Sequence, residues 1–198
     1  MAATVLVTGS PERVEQVVTA LRAAGAEAVG RTDLDRLDAE LAAFAPGSLA
    51  GYVQLPVSLQ VTGETVVSRV RGFLESGLLS RFRLAEAVLP ALSADSRVLL
   101  VAGHTPVDRS TPDDQAARVA FLEVLAHAIR ADLAPAKVRV RVLDHRQPPA
   151  DIARLALAEP PAPAPGRWPE QRNLAEREAE LSYQDWRTEV LGLARIEV

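Results

Sequence analysis

The sequence predicts an α/β domain: a doubly wound, mostly parallel sheet flanked by helices, shortened, and followed by a helical C-terminal tail. Three observations carry this expectation. Short apolar, β-branched runs alternate with longer segments of helical period. Glycine and proline punctuate the junctions. The resulting order over residues 1–158 is β-α-β-α-β-α-β-α-β, which only a sheet with crossover helices accommodates.

Thr4 to Thr8 is a strand-length run of the kind buried on both faces of a parallel sheet. Gly9 ends it, and Ser10-Pro11-Glu12 supplies an N-cap, a proline at the first helical position and an early acid. Val14, Val17, Val18 and Leu21 then recur at helical spacing until Gly25 closes the helix. Ala26 to Val29 predicts a second strand, and Asp33 to Phe44 a helix striped by Leu34, Leu37 and Leu41. Leu49 to Leu55 predicts a third strand ending at Pro56. A long helical tract is expected from Gly63 to Leu92, then a strand from Arg97 to Gly103. Pro112 to Leu133 reads as the next helix, Lys137 to Leu143 as an alternating strand, and Asp151 to Ala158 as a short helix. Beyond it, residues 159–169 form a Pro-rich linker and 170–198 a mixed-charge helical tail.

Composition narrows the function classes. The chain has 198 residues, 22 Lys plus Arg against 26 Asp plus Glu, and a net charge of −4, which argues against nucleic acid or an anionic membrane as partner. Its N-terminus has no basic region before an apolar stretch, and no apolar run reaches about 18 residues, so neither a signal peptide nor a membrane span is expected. Without cysteine there is no disulfide, thiol nucleophile or cysteine-based zinc site, and a cytoplasmic location follows as the expectation. Lysine occurs once, at Lys137, and tyrosine only at Tyr52 and Tyr183.

Several segments together resemble the short-chain dehydrogenase/reductase family. Thr8-Gly9 after the first strand matches the start of that family's Thr-Gly-x-x-x-Gly-x-Gly cofactor loop. Leu84-Ala85-Glu86-Ala87-Val88-Leu89-Pro90, followed by Arg97 to Val101, looks like the helix and strand that lead to the family's catalytic serine. Phe121 through Arg130-Ala131-Asp132-Leu133-Ala134-Pro135, then Val138-Arg139-Val140, is similar to its catalytic helix and next strand. The likeness covers residues 4–158 and implies a Rossmann-like fold, an NAD or NADP cofactor and a catalytic Asn, Ser, Tyr and Lys.

The residues at those positions do not fit that chemistry. The resemblance places the tyrosine and lysine at Gln115 and Val119, the serine at Gly103 or Ala102, and the asparagine at Gly77. An amide has no titratable proton to give, and a valine cannot lower a neighbour's pKa. In the cofactor loop, Pro11, Glu12, Arg13, Val14 and Glu15 stand where two further glycines belong. Proline removes an amide donor, and the acids oppose a diphosphate. Thr8, Gly9, Ser10 and Arg13 therefore form a vestigial loop, with Arg31 placed where some family members hold a 2′-phosphate. One helix and strand between Ala26 and Tyr52 are missing, as is the lid expected after Leu143. No cofactor and no metal is expected.

The remaining polar candidates are His104 after one strand, and Asp144 and His145 after another, with Asp108 nearby in sequence. Ligands of open α/β sheets bind at such carboxyl ends. These residues would serve an isomerase, cyclase or lyase without hydride transfer, the alternative to the main expectation; a weak NAD(P)-binding oxidoreductase is the third. The main expectation is a catalytically degenerate, non-catalytic subunit or scaffold. Its partner would be itself or an active relative, through helices 63–92 and 112–133.

Overall fold

The β-branched runs do form strands, and these join into one sheet. The computed structural model describes residues 4–33, 41, 44–57, 64–103, 112–133 and 136–158. The chain divides into units Met1–Ala158 and Glu159–Val198. The linker and tail expected at 159–198, most of the helix expected at 33–44, and the stretch holding His104 and Asp108 lie outside the described residues.

Within the first unit, β1 (Thr4–Thr8), β2 (Glu27–Arg31), β3 (Leu49–Gln54), β4 (Leu92–Val101) and β5 (Arg139–Leu143) form a five-stranded parallel sheet. The order is β2-β1-β3-β4-β5. The helices described are α1 (Pro11–Ala23), α2 (Val66–Phe73), α3 (Ser80–Val88), α4 (Pro112–Asp132) and α5 (Pro149–Leu157). Alternation along each strand sorts the core into two layers. Val5, Val7, Val53, Leu99 and Val101 pack with Val14, Val17, Val18 and Leu21 of α1 and Ile152 of α5. Leu6, Tyr52, Val98, Leu100 and Val140 face the other way, against Leu84 and Val88 of α3 and Leu122, Leu125 and Ile129 of α4. Each fully buried aliphatic side chain contributes about 1.5–3 kcal/mol, so both helix layers are firmly held.

The ends of α1 follow the sequence closely. Pro11 opens the helix, and Gly25, at φ +86°, turns the chain so that its N–H donates to Arg22 O at 3.0 Å. The long tract expected from Gly63 to Leu92 is different in detail. Its start is Thr65, whose Oγ1 accepts from Ser68 N while its own N–H donates to Ser68 Oγ, both at 3.1 Å. Leu74–Leu79 then widens into a π-helical segment between α2 and α3, and Leu89–Ala91 closes as a 3₁₀ turn. Ser80 Oγ donates to Ser76 O at 2.6 Å, and such back-bonding competes with the ordinary ladder and loosens the helix.

β4 begins five residues before the expected Arg97. Leu92 pairs with Leu49, and the register shifts before Gly51 pairs with Arg97. The polar stretch Ser93-Ala94-Asp95-Ser96, between the expected helix and strand, is an irregularity inside β4, with Asp95 at φ +60°. Ser93 Oγ holds it by donating to Leu49 O at 3.0 Å.

Candidate functional site

In a parallel sheet of this order the chain leaves β1 toward β2 and returns on the other side through β3. Ligands of such folds bind beyond the strand ends at that reversal. Here the two loops that flank the reversal are joined to each other. Leu55 N donates to Thr8 O at 2.8 Å, and Ser10 N donates to Pro56 O at 3.2 Å. Gly9 sits at φ +143°, and a Cβ added there would lie 2.6 Å from Leu55 Cβ and 3.0 Å from Leu55 O. The glycine is required by the close approach of Leu55, which itself is buried.

Beneath this closure lies a buried polar network built from β1, β3 and α3. Thr8, Tyr52 and Gln54 point to the α3/α4 side of the sheet, where apolar alternation gives way to polar residues at the strand ends. Tyr52 Oη lies 3.0 Å from Thr8 Oγ1 and accepts from Gln54 Nε2 at 3.1 Å. The second Gln54 amide proton goes to Arg81 O at 2.9 Å. Arg81 returns the contact: its Nε donates to Gln54 Oε1 at 2.8 Å, and its Nη2 to Gln54 O at 3.1 Å and Val101 O at 2.9 Å. Burial holds the Tyr52 hydroxyl above the usual tyrosine range, and the bonds from Thr8 and Gln54 only partly offset it. Burial likewise lowers the Arg81 guanidinium to about 10.

Sequence reading missed three members of this network, although each left a signal. Gln54 is a polar residue on the same strand face as Tyr52 in an otherwise apolar run. Arg81 shares the core-facing stripe of Leu84, Ala85 and Val88, where a cation is out of place. Tyr52 is followed four residues on by Pro56, not by the lysine that the family resemblance implies after its tyrosine.

The candidates named from sequence have other occupations. The Arg13 guanidinium reaches across to donate to Gln147 O, tying α1 to the loop before α5. Arg31 Nη1 donates to Gly30 O at 3.0 Å on its own strand. Ser10 makes no side-chain cap, so its part in the loop is the backbone bond to Pro56. Asp144 shapes the turn after β5: its Oδ1 accepts from Arg146 N at 2.8 Å, and Gln147 N donates to Asp144 O at 3.1 Å. His145 Nδ1 lies 3.2 Å from Asp144 Oδ1, with the ring only 18% exposed. His104 and Asp108 lie outside the described residues. Among the described residues no group of metal-ligating side chains is gathered.

The positions that the family resemblance marks as catalytic are Ala102 or Gly103, Gly77, Gln115 and Val119. Ala102 is fully buried and its N–H donates to Leu143 O at 2.8 Å, while Gly103 follows at the strand exit. Gly77 is buried in the π-helical segment. Gln115 and Val119 lie on α4, and Val119 packs against the core. The single lysine, Lys137, is exposed at φ +54° just before β5. It stands at the amino edge of the sheet, with the length of β5, five residues or ~16 Å, between it and the carboxyl edge.

Much of the β1–α1 turn is engaged by the protein itself. The Ser10 amide is engaged by Pro56, Pro11 has no N–H, Arg13 is held by Gln147, and Glu12 adds negative charge in the first helical turn. No helix among the described residues is long and apolar enough to cross a membrane.

No protein-family model matches the sequence, and no curated protein does. Solved structures do match. Protein lin1944 from Listeria innocua is 14% identical, with a TM-score of 0.58 over 78% of this chain and 92% of that one. A doubly substituted short-chain dehydrogenase/reductase from Serratia marcescens is 15% identical, with a TM-score of 0.57 over 80% of this chain and 89% of that one. A structure described as a short-chain dehydrogenase/reductase from Corynebacterium glutamicum is 19% identical, with a TM-score of 0.52 over 77% and 89%. At these identities the likeness establishes a shared fold.

Proposed function

We propose that this chain, which has the fold of short-chain dehydrogenases/reductases, is a non-catalytic subunit or scaffold that pairs with itself or with an active relative of the same fold. The observation that carries the reading is the separation of the only lysine from the only tyrosine of the described sheet. Tyr52 is buried at the carboxyl edge with its hydroxyl engaged by Thr8 and Gln54, and Lys137 is exposed at the amino edge. Proton transfer to a carbonyl substrate needs an acid within hydrogen-bond reach and a cation to tune it. Tyr52 has neither access nor lysine. Arg81, the cation that does lie close, is itself committed to Gln54 and Val101.

The proposed pairing surface includes the tract of α2, the π-helical segment and α3, together with α4. Val67 is 78% exposed and Leu79 52% exposed, which leaves apolar surface on the outer side of that tract. Covering such side chains in an interface would contribute about 1.5–3 kcal/mol each before association costs.

The experiment combines light scattering with a turnover assay on the full chain. The reading expects a dimer or larger assembly at micromolar concentration, or a stable complex with an active relative, and no NAD(P)H oxidation with a panel of ketones and aldehydes. A clean monomer that associates with no relative would refute the scaffold role. Measurable carbonyl reduction would refute the non-catalytic one.

A further inference from the structure

The Thr8–Tyr52–Gln54–Arg81 network leaves one set of donors unengaged. A guanidinium carries five N–H groups. On Arg81 the Nε proton is taken by Gln54 Oε1, and Nη2 donates to Gln54 O and Val101 O. The two protons of Nη1 meet no acceptor among the described residues, yet Nη1 is not among the sealed, partnerless atoms of the core. No carboxylate pairs with this cation among the described residues, although only 8% of the residue is exposed. Its neighbours are carbonyl dipoles and an amide, which orient the charge without neutralising it.

A buried cation without a counter-charge is an unusual arrangement, because desolvation is repaid only when an opposite charge or a full set of acceptors is supplied. Both Gln54 amide protons are in use, and its amide oxygen and backbone carbonyl already accept from Arg81 Nε and Nη2. The guanidinium lies at the carboxyl ends of β3 and β4, one strand from the β1–β3 reversal.

We propose that Arg81 Nη1 anchors a small oxyanion, a carboxylate or phosphoryl group of a low-molecular-weight ligand, at the carboxyl edge between β3 and β4. Because Nε and Nη2 are fixed on protein acceptors, the anion is held by Nη1 alone and not by the two-nitrogen fork that arginine usually offers. The protein thus presents a rigid, pre-oriented charge rather than a flexible clamp. Burial lowers the proton affinity of Arg81, and Tyr52 offsets this only in part. This site rests on the network alone and stands or falls separately from the scaffold role; a scaffold subunit holding it would sense a ligand without transforming it.

The test uses the full chain labelled with ¹⁵N-arginine and titrated at constant ionic strength with sodium phosphate, sodium acetate or sodium chloride. The proposal expects one slowly exchanging arginine side-chain resonance to shift saturably in the phosphate or acetate arm, with half-saturation in the millimolar range. Chloride produces no such shift, and the stronger arm identifies the oxyanion class. Arg81→Lys should remove that resonance and weaken the matching rise in thermal midpoint at least tenfold, while Arg71→Gln, at an exposed arginine, leaves both unchanged. Should Arg81→Lys fail to fold, the wild-type titration still decides. No saturable shift in either oxyanion arm, an equal shift in chloride, or loss of the response in Arg71→Gln would overturn the proposal.

Discussion

Replacing Tyr52 by phenylalanine removes a single oxygen from the centre of the buried network and keeps the ring that packs between β1 and α3. Two bonds disappear, to Thr8 Oγ1 at 3.0 Å and from Gln54 Nε2 at 3.1 Å. Neither partner can turn to water, since Thr8 is 0% and Gln54 1% exposed. An orphaned buried polar group costs about 1–3 kcal/mol, and the vacated oxygen removes its own desolvation cost, so the expected loss is about 2 kcal/mol. For a domain of this size that corresponds to a fall of ~4–8 °C in thermal midpoint. Urea unfolding followed by circular dichroism measures it. Thr8→Val supplies the control, because it deletes the other half of the pair with an isosteric methyl. With both hydroxyls gone the Thr8–Tyr52 contact is replaced by an apolar one, so the double variant should lose less than the sum of the singles by about 0.5–2 kcal/mol. Strict additivity, or a Tyr52→Phe loss below about 0.5 kcal/mol, would show that these hydroxyls do not share a sealed bond.

Three further outcomes follow from the same coordinates. Gly9→Ala should destabilise by about 1–3 kcal/mol in chemical denaturation, because φ is +143° and the new Cβ would meet Leu55 Cβ at 2.6 Å; a neutral result would mean the β1 exit yields freely. The folded-state pKa of Tyr52 is raised, so its unfolded form releases a proton first; stability from this group is present below pH 10.0 and falls as pH climbs through the folded value. Arg81 acts in the opposite sense above about pH 10, where the folded form sheds its proton more readily than the unfolded one. In a Tyr183→Phe background, absorbance at the tyrosinate band should therefore rise later than for free tyrosine. Glu substitutions at Val67 and Leu79, both largely exposed, should split the proposed assembly in light scattering and leave the circular dichroism of the subunit unchanged; an intact assembly would move the interface elsewhere.

The layers of the fold were legible because they depend on side chains repeating over several residues. Val14, Val17, Val18 and Leu21 mark one helix face regardless of what lies beneath, and all four are buried. The β4 boundary was less legible, since Ser93 to Ser96 lack a β-branched run and only pairing of Leu92 with Leu49 makes them part of a strand. The helix register near Gly77 was hidden for a similar reason. A π-helical segment depends on local competition for carbonyls, here by Ser80 Oγ, which periodicity does not record. At the site, the sequence displayed Gln115 and Val119 at the positions the family resemblance marks for a tyrosine and a lysine, but not the buried network. The Arg81–Gln54 contact joins residues 27 apart and forms only when α3 closes over β3. Arg13 carries the same lesson: its charge suggested a phosphate, and its partner is the carbonyl of Gln147, 134 residues away.

The expectation that the crevice takes no dinucleotide is tested most directly by calorimetric titration of the full chain with NADH and with NADPH. With the Ser10 amide on Pro56, Pro11 at the first helical position and Arg13 on Gln147, the account predicts no saturable heat from either nucleotide up to hundreds of micromolar. A one-to-one isotherm with low-micromolar affinity, about −8 kcal/mol of binding free energy, would contradict it.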